Sequence, residues 1–324
     1  MHAHLIVADI GGTNCRFALF ALEPSFSLLA STWHATEGLH SLDDVLQAYQ
    51  QTGPQCPVSA AAALVVAIAG PVTHPLRGHT TNACLSISLE HIRERHGVRH
   101  AWLLNDFQAQ AYACLTEPGR AAHTILPASR HAPAAATAIG VLGAGTGLGT
   151  ASLVEERAGL WRALAAEGGH TTFPFVGRDE ADFEAFMREK KQLPYVRGDD
   201  VLTGSGLTLL HQFLTGDRLE PHDVALCALQ AESPTLQWFA RFYGRMSRNW
   251  VLSTMSGGGL FIAGGIAAKN RLVVRHDSFT HEFYNSPTHG ELLQGVNVRL
   301  MTNENSGLWG AAWFGKQELV RCNA

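Results

Sequence analysis

The chain has 324 residues, 46% of them hydrophobic and 16% charged, with a formal net charge of −4. That length exceeds the usual single domain and predicts two, each with enough apolar material for its own core. The slightly acidic balance, without a basic run or arginine-rich arm, excludes nucleic acid as the expected partner.

Residues 5–20, LIVADIGGTNCRFALF, read as strand, glycine turn and strand. The turn falls on Gly11, Gly12, Thr13 and Asn14, and Asp9 stands just ahead of it. Residues 41–49 predict a helix with Ser41 as N-cap and Asp43 and Asp44 in its first turn. Residues 60–69 are nearly all Ala, Val, Leu and Ile, the pattern of a strand buried on both faces. This longest apolar run is too short to span a bilayer, so no membrane segment is expected. After Gly70-Pro71 comes a loop region with Thr80, Thr81 and Asn82, then a helix over 89–96. Residues 101–104 form a short strand that delivers Asn105 and Asp106 at its carboxyl end, and 107–115 read as helix. Pro118-Gly119 breaks that helix and marks a domain boundary.

The second half opens on residues 138–154, AIGVLGAGTGLGTASLV, which repeat the earlier pattern. An apolar strand turns on Gly143, Gly145, Gly147 and Gly149 and resumes from Thr150. Glu167-Gly168-Gly169-His170 follows, and residues 178–191 read as a charged surface helix with Phe183, Phe186 and Met187 at helical spacing. Asp199 and Asp200 precede a turn at Gly204-Ser205-Gly206. Ser233-Pro234 starts the longest helix, whose stripe of Leu236, Phe239, Tyr243, Met246 and Trp250 is core packing. Residues 260–263 are a strand ending on Gly264-Gly265, and Val296, Val298 and Leu300 alternate as another.

Alternating glycines allow positive φ and let a ligand approach the backbone, and successive N–H groups in such a turn form a nest for phosphate oxygens. Either hairpin alone is compatible with an ordinary Gly-rich turn. Their repetition, with Thr13 in one and Thr146 in the other, points to two halves serving one nucleotide. Neither is a P-loop, and neither is a dinucleotide-binding G-x-G-x-x-G that opens a helix. Asp106 suits a catalytic base at a strand's carboxyl end, although an Asp there is equally a helix cap. Glu167 and His170 have a spacing that on a helix would suggest a metal pair, but Gly168-Gly169 argues against helix.

The set D-I-G-G-T-N at 9–14, L-N-D-F at 104–107, G-A-G-T-G-L-G at 143–149, E-G-G-H at 167–170 and F-I-A-G-G-I at 261–266 resembles bacterial glucokinase. That family belongs to the sugar-kinase, actin and heat-shock ATPase superfamily, and the resemblance runs in order from Leu5 to about Gly315. The first and third motifs alone indicate only the superfamily; Asn105-Asp106 with Glu167 and His170 points to a hexokinase-type sugar site. The resemblance implies an α/β, two-domain actin-like ATPase (ribonuclease H-like) fold with an interdomain cleft. The small domain would be residues 1–116 plus 303–324 and the large domain 117–302.

The activity it implies is ATP-dependent transfer of the γ-phosphate to the 6-hydroxyl of glucose, the first step of glycolysis, with ATP and Mg²⁺ as cofactors. Asp106 would be the catalytic base and would also bind sugar, together with Asn82, Asn105, Glu167, His170 and Asp199. ATP would meet Asp9, Gly11, Gly12, Thr13, Asn14, Gly143, Gly145, Thr146, Gly147, Gly264 and Gly265. Asp9 would also hold Mg²⁺, directly or through water. A homodimer is implied too. Asp199 stands where the family carries Glu, and Leu85 where it carries Trp, so a kinase for another hexose or an amino sugar is an alternative. A sugar-sensing regulator with little turnover is a second. The six cysteines are scattered without C-x-x-C, which fits reduced thiols in the cytoplasm and argues against a structural zinc.

Overall fold

The computed structural model describes residues 4–12, 14–52, 55–81, 85–129 and 138–323. The chain divides into two compact units: unit 1 is Met1–Arg120, Glu156–Ala163 and Asn303–Ala324, and unit 2 is Ala121–Glu155 and Leu164–Thr302. Relative to the expected boundaries, unit 1 runs four residues further, from 116 to Arg120, and takes in Glu156–Ala163.

Unit 1 contains β1 (His4–Ile10), β2 (Asn14–Ala21), β3 (Ser27–Ala35), β4 (Ala63–Ile68), a small hairpin of β5 (Arg77–His79) and β6 (Ser86–Ser88), and β7 (Ala101–Asn105). Its main sheet has the order β3-β2-β1-β4-β7. The glycine turn makes β1 and β2 antiparallel, whereas β1, β4 and β7 run parallel. Every residue of β4 is buried because the strand is covered on both faces. Leu64, Val66 and Ile68 pack with Leu42, Val45 and Leu46 of α1 (Leu42–Gln51). The alternate residues Ala63, Val65 and Ala67 pack with Leu308, Ala311 and Ala312 of the C-terminal helix Ser306–Asn323. Ser41 caps α1 through a reciprocal box with Asp44. Helix α2 (Asp106–Ala113) starts directly from β7 and meets the C-terminal helix at Gly310, where any side chain would strike the Ala109 and Ala113 backbone.

Three expectations in this unit change. Residues 58–60 form a 3₁₀ turn ahead of β4, and the helix expected over 89–96 is only Ile92–His96. The helix read over 107–115 ends at Ala113, ahead of Pro118-Gly119 as expected, but that pair itself lies in a one-turn helix, Glu117–Arg120. Proline is tolerated there because the first helical N–H groups need no partner within the helix. Gly119 leaves room for the Cys114 carbonyl, which a Cβ would displace.

Unit 2 carries β8 (His123–Leu126), β9 (Ala138–Ala144), β10 (Leu148–Arg157), β11 (Leu160–Ala166), β12 (Leu260–Ala263) and β13 (Val298–Leu300), in the order β11-β10-β9-β12-β13-β8. The distal part of the β10–β11 hairpin, Glu156–Ala163, is counted with unit 1. Strands β9, β12 and β13 are parallel and β9–β10 is an antiparallel hairpin, so five of these strands repeat the plan of unit 1. Its core gathers on α3 (Arg178–Lys191), α4 (Gly204–Thr215), α5 (Pro234–Thr254) and α6 (Asp277–Tyr284).

Leu236, Phe239, Tyr243 and Met246 of α5 are buried as the periodicity implies, with Trp250 partly so. Helix α3 is more than a surface helix: Phe183, Met187 and even Glu180 are buried. Glu180 can lie inside because Arg245 of α5 pairs with it. Gly204-Ser205-Gly206 is not a turn but the start of α4, capped by Thr203. Gly206 is required there, since a Cβ would collide with the Asp200 and Val201 carbonyls. Among the described residues, no helix is long and apolar enough to cross a membrane.

Candidate active site

In unit 1 the candidate side chains Asp9, Asn105 and Asp106 gather where the parallel strands end. The register pairs Ile10 with Ile68 and Ile68 with Asn105, so β1, β4 and β7 terminate level with one another. That carboxyl edge is where α/β sheets bind ligands. Asn105 caps α2: its Oδ1 accepts from the N–H groups of Phe107 (2.9 Å) and Gln108 (3.3 Å). Its Nδ2 donates to Gly70 O (3.1 Å) and to Asp106 Oδ1 (3.0 Å). The Phe107 N–H also donates to Asp106 Oδ1 at 2.9 Å. The Asp106 carboxylate is thus oriented by its neighbours and sits in the positive field of a helix N-terminus.

Asp9 lies one residue before the end of β1, opposite Arg16 of β2. Burial pushes its carboxyl above the ordinary Asp range, while the Arg16 charge pulls the other way. A Cβ on Gly307 would lie 3.3 Å from Asp9 Oδ2, so the first turn of the C-terminal helix faces this carboxylate. Ser306 Oγ donates to Gln110 Oε1 at 2.8 Å beside it. Arg16 is held over the Trp33 ring at 3.8 Å and donates to Glu304 O. In the turn, the Gly11 N–H donates to Asn14 O at 2.9 Å, and Thr36 Oγ1 donates to Gly11 O at 3.2 Å. Gly12 and Asn14 are exposed; Thr13 lies outside the described residues, as does Asn82.

Among the described residues no group of three or more His, Cys, Asp and Glu side chains could hold a metal alone. A single carboxylate nevertheless fits Mg²⁺, which keeps several waters and binds through one or two carboxylates plus phosphate oxygens. Asp9, at the carboxyl end of β1, is such a group.

In unit 2 the second glycine hairpin organises everything else. Thr146 and Gly147 are exposed at its tip, and the Gly145 N–H closes the turn onto Gly147 O at 2.9 Å. The left-handed backbone expected of these glycines occurs instead at Gly264, whose φ is 85°. At the hairpin the need is space: a Cβ on Gly147 would lie 2.9 Å from Asp199 Oδ1, whereas one on Gly145 would meet nothing within 4 Å. Gly264 follows β12, lies against the Ala144 backbone and leads into the short helix Gly265–Lys269.

The Glu167–His170 loop is laid on the same hairpin. Gly168 N–H donates to Thr150 Oγ1 at 3.0 Å, and Thr150 Oγ1 donates to Ala166 O at 3.1 Å. Neither glycine tolerates a side chain: at Gly168 it would lie 2.8 Å from the Trp250 ring, and at Gly169 it would enter the Leu148 carbonyl. Held in a 3₁₀ turn, Glu167 Oε2 and His170 Nε2 lie 3.6 Å apart with both side chains about half exposed. Asp199 Oδ1 accepts the Leu148 N–H at 2.7 Å, which ties the candidate sugar carboxylate to the second glycine hairpin. Unit 2 therefore brings Glu167, His170 and Asp199 to one hairpin with Gly143, Gly145, Thr146, Gly147 and Gly264.

Two contributors are missing from the sequence reading: Arg197, whose guanidinium meets His170, and Gly307 beside Asp9. The R-x-x-D spacing of Arg197 and Asp200 was the available signal for the first. Gly307 gave none.

A model of the glucokinase family matches residues 6–318. The glucokinase of Yersinia pestis (strain Pestoides F) is 32% identical over 330 residues, covering 98% of each chain. The crystal structure of a glucokinase from an Antarctic psychrotroph superposes with a TM-score of 0.81 at 27% identity, over 97% of this chain and 99% of that one. The glucokinase of Balamuthia mandrillaris in complex with glucose superposes with a TM-score of 0.75 at 18% identity, over 98% and 94% of the two chains, a likeness of fold. The doubled sheet plan is that of the actin-like ATPases, and the chain belongs to the glucokinase family.

Proposed function

We propose that this protein is an ATP-dependent glucose kinase acting on the 6-hydroxyl, with Asp106 as its catalytic base. The observation that carries this reading is the fixed carboxylate of Asp106 at the carboxyl end of β7. As the sugar oxygen bonds to the γ-phosphorus, its proton passes to Asp106; the bond from phosphorus to the β,γ-bridging oxygen breaks, and ADP leaves with that electron pair. Mg²⁺ at Asp9 would neutralise phosphate charge. The N–H groups of the two glycine turns suit the phosphates, and the open surroundings of Gly145 and Gly265 leave room for the nucleotide. Glu167, His170 and Asp199 would hydrogen-bond the sugar hydroxyls, and such a site rejects analogues that leave its polar groups unpaired. Asn105 reaches sugar only by giving up one of its four bonds, so its main work is to hold Asp106.

The same reading makes this a cytoplasmic enzyme of the first step of glycolysis, supported by the free thiols of Cys15, Cys56, Cys114, Cys227 and Cys322. The family resemblance supports a homodimer, which sedimentation would test. The direct experiment is ADP release with ATP, Mg²⁺ and glucose, beside mannose, fructose, glucosamine and N-acetylglucosamine. Selective turnover of glucose is expected, and Asp106→Asn should lower kcat by about 10²–10⁴-fold while glucose still binds by calorimetry. Full activity in a folded Asp106→Ala protein would overturn the base, and glucose binding without ADP release would favour a sugar sensor.

A further inference from the structure

Arg197 links the loop carrying Glu167 and His170 to a buried carboxylate. Asp200 is 3% exposed, and its Oδ2 accepts from Arg197 Nε (2.8 Å) and from the Arg197 backbone N–H (3.0 Å). Its Oδ1 accepts from Arg197 Nη2 (3.0 Å) and Lys191 Nζ (3.3 Å). Burial acts to raise the Asp200 carboxyl, but the bonds from Arg197 outweigh it and hold the group below the ordinary Asp range. The guanidinium is therefore a fixed fork, and its remaining nitrogen, Nη1, lies 3.1 Å from His170 Nδ1. A guanidinium has donors only and stays protonated, so in this bond Nδ1 must accept. The proton of the neutral ring is then on Nε2, the nitrogen that faces Glu167 Oε2 at 3.6 Å.

We propose that Arg197 is a positioning residue for sugar recognition, fixing His170 as its Nε2–H tautomer so that the loop offers one defined donor beside one defined acceptor. This rests on the reading of His170 as a sugar contact. A hydroxyl both donates and accepts, so a His170 donor next to the Glu167 carboxylate acceptor suits adjacent hydroxyls of a pyranose. With the proton on Nδ1 instead, two acceptors would stand together and a hydroxyl accepting from His170 would lose its partner. Other contacts of the loop, such as Gly198 N–H to Thr171 O at 3.1 Å, Thr171 Oγ1 to Gly168 O at 2.8 Å and Gly168 N–H to Thr150 Oγ1 at 3.0 Å, hold the backbone and do not set the tautomer.

The test is ¹⁵N-histidine NMR on the whole protein, with the His170 signals assigned by their loss in His170→Ala, together with steady-state kinetics. Wild type should show His170 as the Nε2–H form. Arg197→Lys keeps a cation for Asp200 but cannot serve both partners, so it should show a mixture of tautomers. Its glucose KM should rise roughly tenfold, the order of one lost hydrogen bond. Its kcat should stay within about twofold and its ATP KM unchanged. The same change made on His170→Ala should add nothing. A merely structural role would shift the melting temperature and both substrates' constants together. A wild-type His170 with its proton on Nδ1 overturns the proposal. So does an unchanged glucose KM in Arg197→Lys when His170→Ala raises it. If His170→Ala leaves the glucose KM unchanged, the sugar reading of the loop fails and takes the role of Arg197 with it; the tautomer measurement shows which of the two claims was wrong.

Discussion

At the residue scale, burial and the proposed metal-holding role oppose each other at Asp9. Folding places this carboxylate against Gly307 and pushes its pKa up, which means that carrying the charge costs the folded protein stability. The expected consequence is that Asp9→Asn melts at a higher temperature than wild type at pH 7 without Mg²⁺, while its kinase activity is lost. The sign follows from the raised pKa. The advantage of Asn is full above the folded-state pKa, where wild type carries the charge in both states. It shrinks as pH falls below the folded-state pKa and vanishes well below the ordinary Asp value of 3.8, where both states are protonated. Thermal melts across pH read this directly, and a variant that is less stable than wild type at neutral pH would show Asp9 to be a structural partner instead. D-I-G-G-T-N made Asp9 legible as a candidate. Its burial was not legible, because the group that covers it, Gly307, is almost the whole chain away and bears no side chain to announce a contact.

At the scale of elements, the helices of unit 2 are held by charge as well as by apolar packing. Arg245 of α5, 2% exposed, pairs with Glu180 of α3 and with Glu282 of α6 (2.9 Å to Nε), and Arg248 adds a second cation to Glu282 at 3.1 Å. Burial acts to raise Glu282, but Arg245 and Arg248 hold its carboxyl below the ordinary range. Arg245→Met would leave two carboxylates buried with their main partner gone. A loss of about 3–5 kcal/mol in urea unfolding of this unit is expected, as for other broken buried pairs. The Glu282 contribution is present above the ordinary Glu value of 4.5 and is lost as pH falls through its lowered folded-state pKa. The gap between variant and wild type should therefore narrow in acid. A change under 1 kcal/mol at pH 7 would mean that water or Arg241, which also pairs with Glu180 at 3.1 Å, replaces the missing cation. Periodicity revealed α3 and α5 through Phe183, Met187 and the Leu236–Tyr243 stripe. It was silent on Glu180 and Arg245, since a charged residue on a helix reads as solvated unless its partner, here from a distant segment, is known.

At the scale of the whole molecule, the two glycine hairpins in sequence correspond to two sheets of one plan, each with its own core. The repeat was legible because the strand–glycine turn–strand pattern is local. The boundaries were less so: the chain passes between units at Arg120/Ala121, Glu155/Glu156, Ala163/Leu164 and Thr302/Asn303, and only partners distant in sequence define where. Trp161 N–H, for example, belongs with Gln317 Oε1 at 3.2 Å. Separate cores predict that calorimetric unfolding is not one all-or-none step, so the calorimetric enthalpy should exceed the van't Hoff value. The proposed sugar contacts Glu167, His170 and Asp199 all belong to unit 2, so on that reading glucose alone should raise the transition of that unit. The expected stabilisation is about 2.7 kcal/mol at a hundredfold excess over Kd. Unit 1, which carries Asp106, should respond to glucose only to the extent that its base contacts the same sugar. Comparing glucose-induced shifts in wild type and Asp106→Ala measures that share: equal shifts would confine sugar binding to unit 2, whereas a smaller shift in the variant would make Asp106 a binding group as well as a base.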